Sequence, residues 1–155
     1  MIRFPTDLVG VAIIFVSAQG TGKDMLGTFI KHLIGDKYTL KFSGMKTFFK
    51  DFNLDQVGKI FIRLNEISAR GSAFENHDKF KDMIDKKTSR VEPKGIDAYN
   101  VRHCGHYMGF SNNENCVYVE NSERRFCMIR SNDKHADDRP YFKPIWDEVE
   151  NMDFC

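Results

Sequence analysis

Residues 11–24 read VAIIFVSAQGTGKD, and this stretch constrains the fold more than any other. Six apolar or β-branched residues run straight into a glycine-rich turn that ends in Gly22-Lys23. An unalternated apolar run of this kind fits a strand of a parallel sheet covered on both faces. A strand that breaks into such a turn and restarts as a helix suits the binding of nucleotide phosphates. Consecutive backbone N–H groups in the turn point at an anion, and the following helix adds the positive end of its dipole. Lys23 then reaches the outer phosphates as a compact charge. Against the phosphate-loop pattern G-x-x-x-x-G-K-[ST], Ser17 stands for the first glycine and Asp24 for the hydroxyl residue that touches Mg²⁺. Gln19, Gly20, Thr21, Gly22, Lys23 and Asp24 are the expected nucleotide contacts.

The rest of the chain reads as alternating helices and strands. A helix is expected from Gly22 to about Leu33, with Met25, Leu26, Phe29, Ile30 and Leu33 on one face, closed by Gly35. Tyr38–Phe42 reads as a short strand and Gly44–Phe52 as a helix. Lys59–Asn65, KIFIRLN, is a second apolar strand, and it runs into Glu66. In a doubly wound sheet the strand C-termini line the ligand crevice, so Asn65 and Glu66 would face the phosphates. Asn65 would help place Mg²⁺ and Glu66 would polarise the attacking water. Glu75–Lys86 is a charged helix with Phe80, Met83 and Ile84 as its apolar stripe. Residues 89–102 form a hairpin about Pro93-Lys94-Gly95, in the most cation-rich part of the chain. His106–Ser111 is a third buried strand, running into Asn112, and Arg124-Arg125 lead a fourth, Phe126–Arg130. Pro140 opens a last amphipathic helix over 140–155, with Phe142, Ile145, Trp146 and Val149 on one face and Trp146 as packing.

With 155 residues the chain is about one domain, expected as a single three-layer α/β unit after a lead-in over 1–10. Its formal net charge is only +1, so any nucleic-acid site must be local rather than a global basic field. The four cysteines show no C-x-x-C pairing, which fits a reduced intracellular protein. Cys104 lies between His103 and His106, but a zinc site asks for paired ligands at both ends of a loop. No apolar run approaches the ~20 residues of a membrane span, so no membrane partner is expected.

The order of these pieces resembles the superfamily 3 helicases, in particular the helicase domain of phage and large-virus primase-helicases and the poxvirus-type nucleoside triphosphatase. SAQGTGKD, KIFIRLNEIS, KFKDMIDKKTSRVEPKGIDAYNVRHCGHYMGFSNNEN, ENSERRFCMI and RPYFKPIWDEV carry the resemblance. It implies an AAA+-like P-loop NTPase fold with a central parallel sheet and a β-hairpin inserted before the sensor strand. It implies ATP and Mg²⁺ as cofactors, with Lys23 and the loop amides on the phosphates. Glu66 would orient water, Asn112 would be the sensor, and Arg124 or Arg125 would be an arginine finger acting on a neighbour's nucleotide. The hairpin, through Lys94 with Arg90 and Arg102, would grip single-stranded DNA. The function implied is an ATP-driven replicative DNA helicase motor of a virus, phage or related element. It would form a ring, a hexamer in the full-length protein, and work with a primase and other replication proteins.

Two departures from the family bear on magnesium. Asp24 stands where Ser, Thr or Asn is usual, and Asn65 where Asp is usual, so a carboxylate is gained at one metal position and lost at the other. Asp24, Asn65 and Glu66 are the candidate metal ligands. The alternative reading is a degenerate P-loop module that binds nucleotide or DNA without efficient hydrolysis. A small-molecule kinase would need an arginine-rich lid, which the sequence lacks.

Overall fold

The computed structural model describes residues 6–50, 54–67, 73–117 and 123–152. Five strands form one sheet: β1 (Ala12–Val16), β2 (Thr39–Phe42), β3 (Phe61–Leu64), β6 (His106–Ser111) and β7 (Phe126–Arg130), in the order β2-β3-β6-β1-β7. Every pairing in it is parallel, for example Ile13 with Met108 and Ile13 with Cys127. Between the strands lie α1 (Lys23–Ile34), α2 (Met45–Lys50), α3 (Ala73–Asp85) and, at the end, α4 (Arg139–Glu150). A separate antiparallel pair, β4 (Thr88–Val91) with β5 (Tyr99–Arg102), stands between α3 and β6. The molecule is therefore mixed α/β with a five-stranded parallel sheet.

The apolar runs explain the layering. On one face Ala12, Ile14, Val16, Ile62, Leu64 and Tyr107 meet Phe48 of α2 and Phe80, Met83 and Ile84 of α3. Phe48 sits at the centre of an aromatic cluster with Phe42, Phe49, Phe80 and Tyr107. On the other face Phe61, Met108 and Phe110 pack against Phe15 and against Leu26, Ile30 and Ile34 of α1. The central strands are thus covered on both sides, as their unbroken hydrophobicity requires.

The element ends differ from the sequence reading for local reasons. The second strand begins at Phe61, because Lys59 N–H closes a turn on the Gln56 carbonyl. It ends at Leu64, and Asn65 N–H then bonds the Phe42 carbonyl. Residues 51 and 52 of the expected 44–52 helix lie outside the described set. The last helix begins at Arg139, capped by Asp138, whose side chain accepts from Tyr141 N–H at 3.1 Å. It ends at Glu150 rather than continuing to 155, with Asn151 N–H bonded to the Asp147 carbonyl, and 153–155 are not described. Of its expected apolar face, Val149 is buried but Ile145 is 37% exposed. Among the described residues, no helix is long and apolar enough to cross a membrane.

Candidate functional site

The parallel sheet sends the C-terminal ends of β1, β3 and β6 to one edge, and a cleft of about 770 Å³ opens there. The turn after β1 forms its floor. Gly20 and Gly22 both have φ 78°, a left-handed backbone that favours glycine. Gly22 is needed a second time, because a Cβ there would lie 2.6 Å from the Phe142 ring. Ser17, in place of the expected first glycine, is buried, and its hydroxyl pairs with that of Thr21 at 2.5 Å. The turn before α4 docks on the loop, with Asp137 N–H bonded to the Gly20 carbonyl and Ala18 N–H to Asp133.

Lys23 folds back across this turn. Its ammonium donates to the Ser17 carbonyl at 2.8 Å, the Ala18 carbonyl at 2.6 Å and Asn112 Oδ1 at 2.6 Å. Loss of water at the loop base pulls its pKa below the ordinary lysine value, against the opposing pull of Asp24 and Asp133. Glu66 lines the same cleft and is exposed. Its φ of 54° is unusual for a side chain with a Cβ, a strain of the kind that collects at functional sites. Gln19, Gly20, Thr21, Gly22, Lys23, Asp24, Asn65, Glu66 and Asn112, drawn from three separate stretches of sequence, all line this one cleft.

Arg63 of β3 is the residue that sequence reasoning missed. It is buried, and its guanidinium bonds Asp24 Oδ1 through Nη2 and Asn65 Oδ1 through Nε at 2.9 Å. Asn65 Nδ2 donates to the same Asp24 oxygen at 3.0 Å. The guanidinium also lies over the Phe110 ring, 5.3 Å from its centre. Gly27, inside α1, leaves room for it, since a Cβ there would lie 2.8 Å from Arg63 Cδ, Nε and Nη1. The one signal in the sequence was a cation inside an otherwise apolar strand.

This arrangement alters the metal expectation. The Asn65 amide is engaged at both ends, its oxygen by Arg63 and its nitrogen by Asp24, so a cation there would meet an oxygen that already accepts from a guanidinium. Asp24 Oδ2 and the Glu66 carboxylate remain as hard oxygen donors. Among the described residues, no three His, Cys, Asp or Glu side chains come together to hold a metal. One or two carboxylates do fit Mg²⁺ when the nucleotide brings it, because magnesium keeps waters and phosphate oxygens as its other ligands. His103, considered beside Cys104, instead bonds the Tyr107 hydroxyl at 2.9 Å and approaches Ser89 Oγ at 3.4 Å.

The other candidates lie at the opposite, N-terminal edge of the sheet. Arg125 precedes β7, and its guanidinium is held by Asp85 at 2.5 Å and by Glu123 at 3.4 Å. Arg124 is exposed and makes no hydrogen bond or ion pair among the described residues. Arg70 and its neighbours 68–72 lie outside the described residues. The β4–β5 register puts Arg90 and Arg102, with Thr88 and Asn100, on one exposed face of the hairpin. Lys94 is exposed at the tip, where Gly95 takes φ 75° and Ile96 N–H meets the Pro93 carbonyl. Arg90 pairs with Glu92 at 3.0 Å, and Arg102 reaches back to the Thr6 carbonyl and to Asp7. Ile96 and Tyr99, which the sequence reading passed over, are 65% and 44% exposed beside Lys94.

A DNA primase-polymerase of Nitratiruptor phage NrS-1 is 30% identical over 131 residues, which take in 79% of this chain and 17% of that protein. The apo structure of the NrS-1 C-terminal region superimposes with a TM-score of 0.78 at 26% identity, covering 92% of this chain and 34% of that one. The A-form apo structure of the same region gives a TM-score of 0.72 at 25% identity, with 92% of this chain and 33% of that one covered. This chain therefore spans about a third of the solved region and a smaller part of the phage protein. Residues 15–125, from the middle of β1 to the threshold of β7, match the model of a family of unknown function. That match takes in the glycine turn after β1, Arg63, the hairpin and Asn112, and by it the chain belongs to the DUF5906 family.

Proposed function

We propose that this chain is the ATP-binding motor part of a phage-type DNA replication protein. It would hydrolyse ATP in a ring, a hexamer in the full-length protein, to move along single-stranded DNA beside a primase and other replication proteins. One observation carries the reading: Lys23 and Asn112 meet at 2.6 Å, directly above a left-handed glycine turn at the C-terminal edge of a parallel sheet. A β-phosphate group entering that turn would take over the acceptor role now played by the Ser17 and Ala18 carbonyls. Strand order, relatedness to the phage primase-polymerase and the position of the hairpin support the P-loop NTPase reading.

In this mechanism Lys23 and the loop amides hold the phosphates, Asn112 senses the outermost one, and Glu66 orients the attacking water. Mg²⁺, when bound, neutralises charge across the phosphate oxygens. Asp24 Oδ2 and Glu66 would hold it. Arg63 balances the charge of Asp24, so the loop tolerates a carboxylate where a neutral side chain is the rule. Arg124, exposed beyond the sheet's far edge, supplies the positive charge to a neighbour's nucleotide. Lys94, with Arg90 and Arg102 on the same hairpin, contacts DNA phosphates, which gives binding without sequence preference.

Lys23→Ala should remove ATP binding, and Glu66→Gln should keep binding and stop turnover. Hydrolysis measured at high protein concentration with Mg²⁺, with and without single-stranded DNA, checks both. A ring assembled on DNA that hydrolyses nothing would sink the motor reading. The engagement of Asp24 and Asn65 by Arg63 favours a second reading, nucleotide binding without efficient hydrolysis. Tight ATP binding by that same inactive ring would select it.

A further inference from the structure

Helix α4 turns an unusual stripe toward the cleft. Arg139, Phe142, Lys143 and Trp146 recur at the spacing of one helix face, and all four line the cleft that holds the phosphate loop. Phe142 and Trp146 are half-buried, and neither belongs to the hydrophobic clusters on the two faces of the sheet. Phe142 lies against Gly22. Trp146 stands one helical turn, about 6 Å, further along the axis. A nucleotide has one charged end and one flat aromatic end. The cleft is built the same way, with loop amides and Lys23 on the floor and two aromatic rings on one wall. Its volume of about 770 Å³ lies within the range of small-molecule sites.

We propose that this wall is the nucleobase site. Trp146 stacks on the base, Phe142 braces the wall against the phosphate loop, and Arg139, at the start of the helix, lies on the cleft side toward the phosphates. The assignment rests on the reading of residues 17–24 as a phosphate loop. It goes beyond that reading by naming where the other end of the ligand sits. It also accounts for an aromatic residue that sequence alone assigns to packing.

Trp146 is the only tryptophan in the chain, so its emission reports on this wall alone. The protein is titrated with ATP and, separately, with inorganic tripolyphosphate, which carries the charge without the base. ATP should quench the tryptophan. Tripolyphosphate should compete with ATP yet leave the emission unchanged. Trp146→Leu should weaken ATP about tenfold, the size of one base–aromatic stack, and leave tripolyphosphate affinity as it was. Trp146→Phe should keep most of the ATP affinity, which separates stacking from a folding defect. If ATP and tripolyphosphate bind equally well and Trp146→Leu changes neither, the nucleobase assignment is wrong while the phosphate loop stands. If neither ligand binds, the phosphate-loop reading falls and takes this one with it.

Discussion

The two edges of the parallel sheet use the same side-chain types to opposite ends. At the C-terminal edge, Lys23 leans on two backbone carbonyls and Asn112, partners that a phosphate can replace. Glu66 stands there in a strained backbone and exposed. At the N-terminal edge the charges close on one another. The Glu123 side chain, 4% exposed, takes Lys81 at 2.8 Å and Arg125, and Arg125 takes Asp85. This network ties the end of α3 to the start of β7. What separates a site from a clamp is whether the polar partners are already complete. By that measure Arg125 is engaged within its own chain, while Arg124 is exposed and makes no hydrogen bond or ion pair among the described residues.

Arg63 is the clamp inside the site, so breaking it tests the comparison most severely. Arg63→Leu leaves Asp24 as an unbalanced carboxylate beside the proposed phosphate site. ATP affinity should fall on the order of a hundredfold, the scale of a like-charge interaction across ~5 Å at an effective dielectric near 20. Adding Asp24→Ser should restore most of the loss, because the charge that needed balancing is gone. Isothermal titration of the two single variants and the double variant reads the coupling directly. If the double variant binds no better than Arg63→Leu, Arg63 supports the fold and does not balance charge.

The two arginines before β7 give the next contrast. Arg125→Ala should lower the melting temperature by several degrees and leave ATP affinity unchanged, since its partners are Asp85 and Glu123 and not the cleft. Arg124→Ala should leave melting unchanged. In mixed assemblies with the unaltered protein it should cut hydrolysis more steeply than its share of subunits. Thermal melts and a mixing series separate the two. Stability lost at Arg124 rather than Arg125 would reverse the assignment.

Much of the architecture was legible because it depends on patterns along the chain. The unalternated runs at 11–16, 59–64 and 106–111 mark buried parallel strands, and Pro93-Lys94-Gly95 marks the turn between β4 and β5. The loop residues 19–24 and the polar groups after β3 and β6 were named from the rule that strand C-termini line the crevice, and the fold brings them to one cleft. What stayed hidden depends on partners far away in sequence. Arg63 reads as one cation in a strand until Asp24 and Gly27 are set against it. The shorter of the two ion pairs that set Arg125 apart from Arg124 is hidden from the sequence, because Asp85 lies 40 residues away, while Glu123 stands close to both arginines. The α4 stripe has the periodicity of a core face, and only its position over Gly22 turns Phe142 and Trp146 toward the cleft.

Acid should expose the closed edge in two stages. Burial beside Tyr107, with Lys86 and His106 nearby, holds the His103 pKa down to about 4 from an ordinary 6.5. Between those values the unfolded chain binds a proton that the folded chain refuses, so stability is complete above pH 6.5 and falls as the pH drops toward 4. Lys81 and the surrounding hydrogen bonds hold Glu123 at about 2 against an ordinary 4.5. Its contribution is therefore present above pH 4.5 and is lost only as the pH falls toward 2. His103→Gln should flatten the upper stage of a melting-temperature profile and leave the lower one. Glu123→Gln should lower stability throughout the neutral range and flatten the lower stage alone. A single unresolved acid transition that neither variant reshapes would mean that these groups do not set the acid response of this edge.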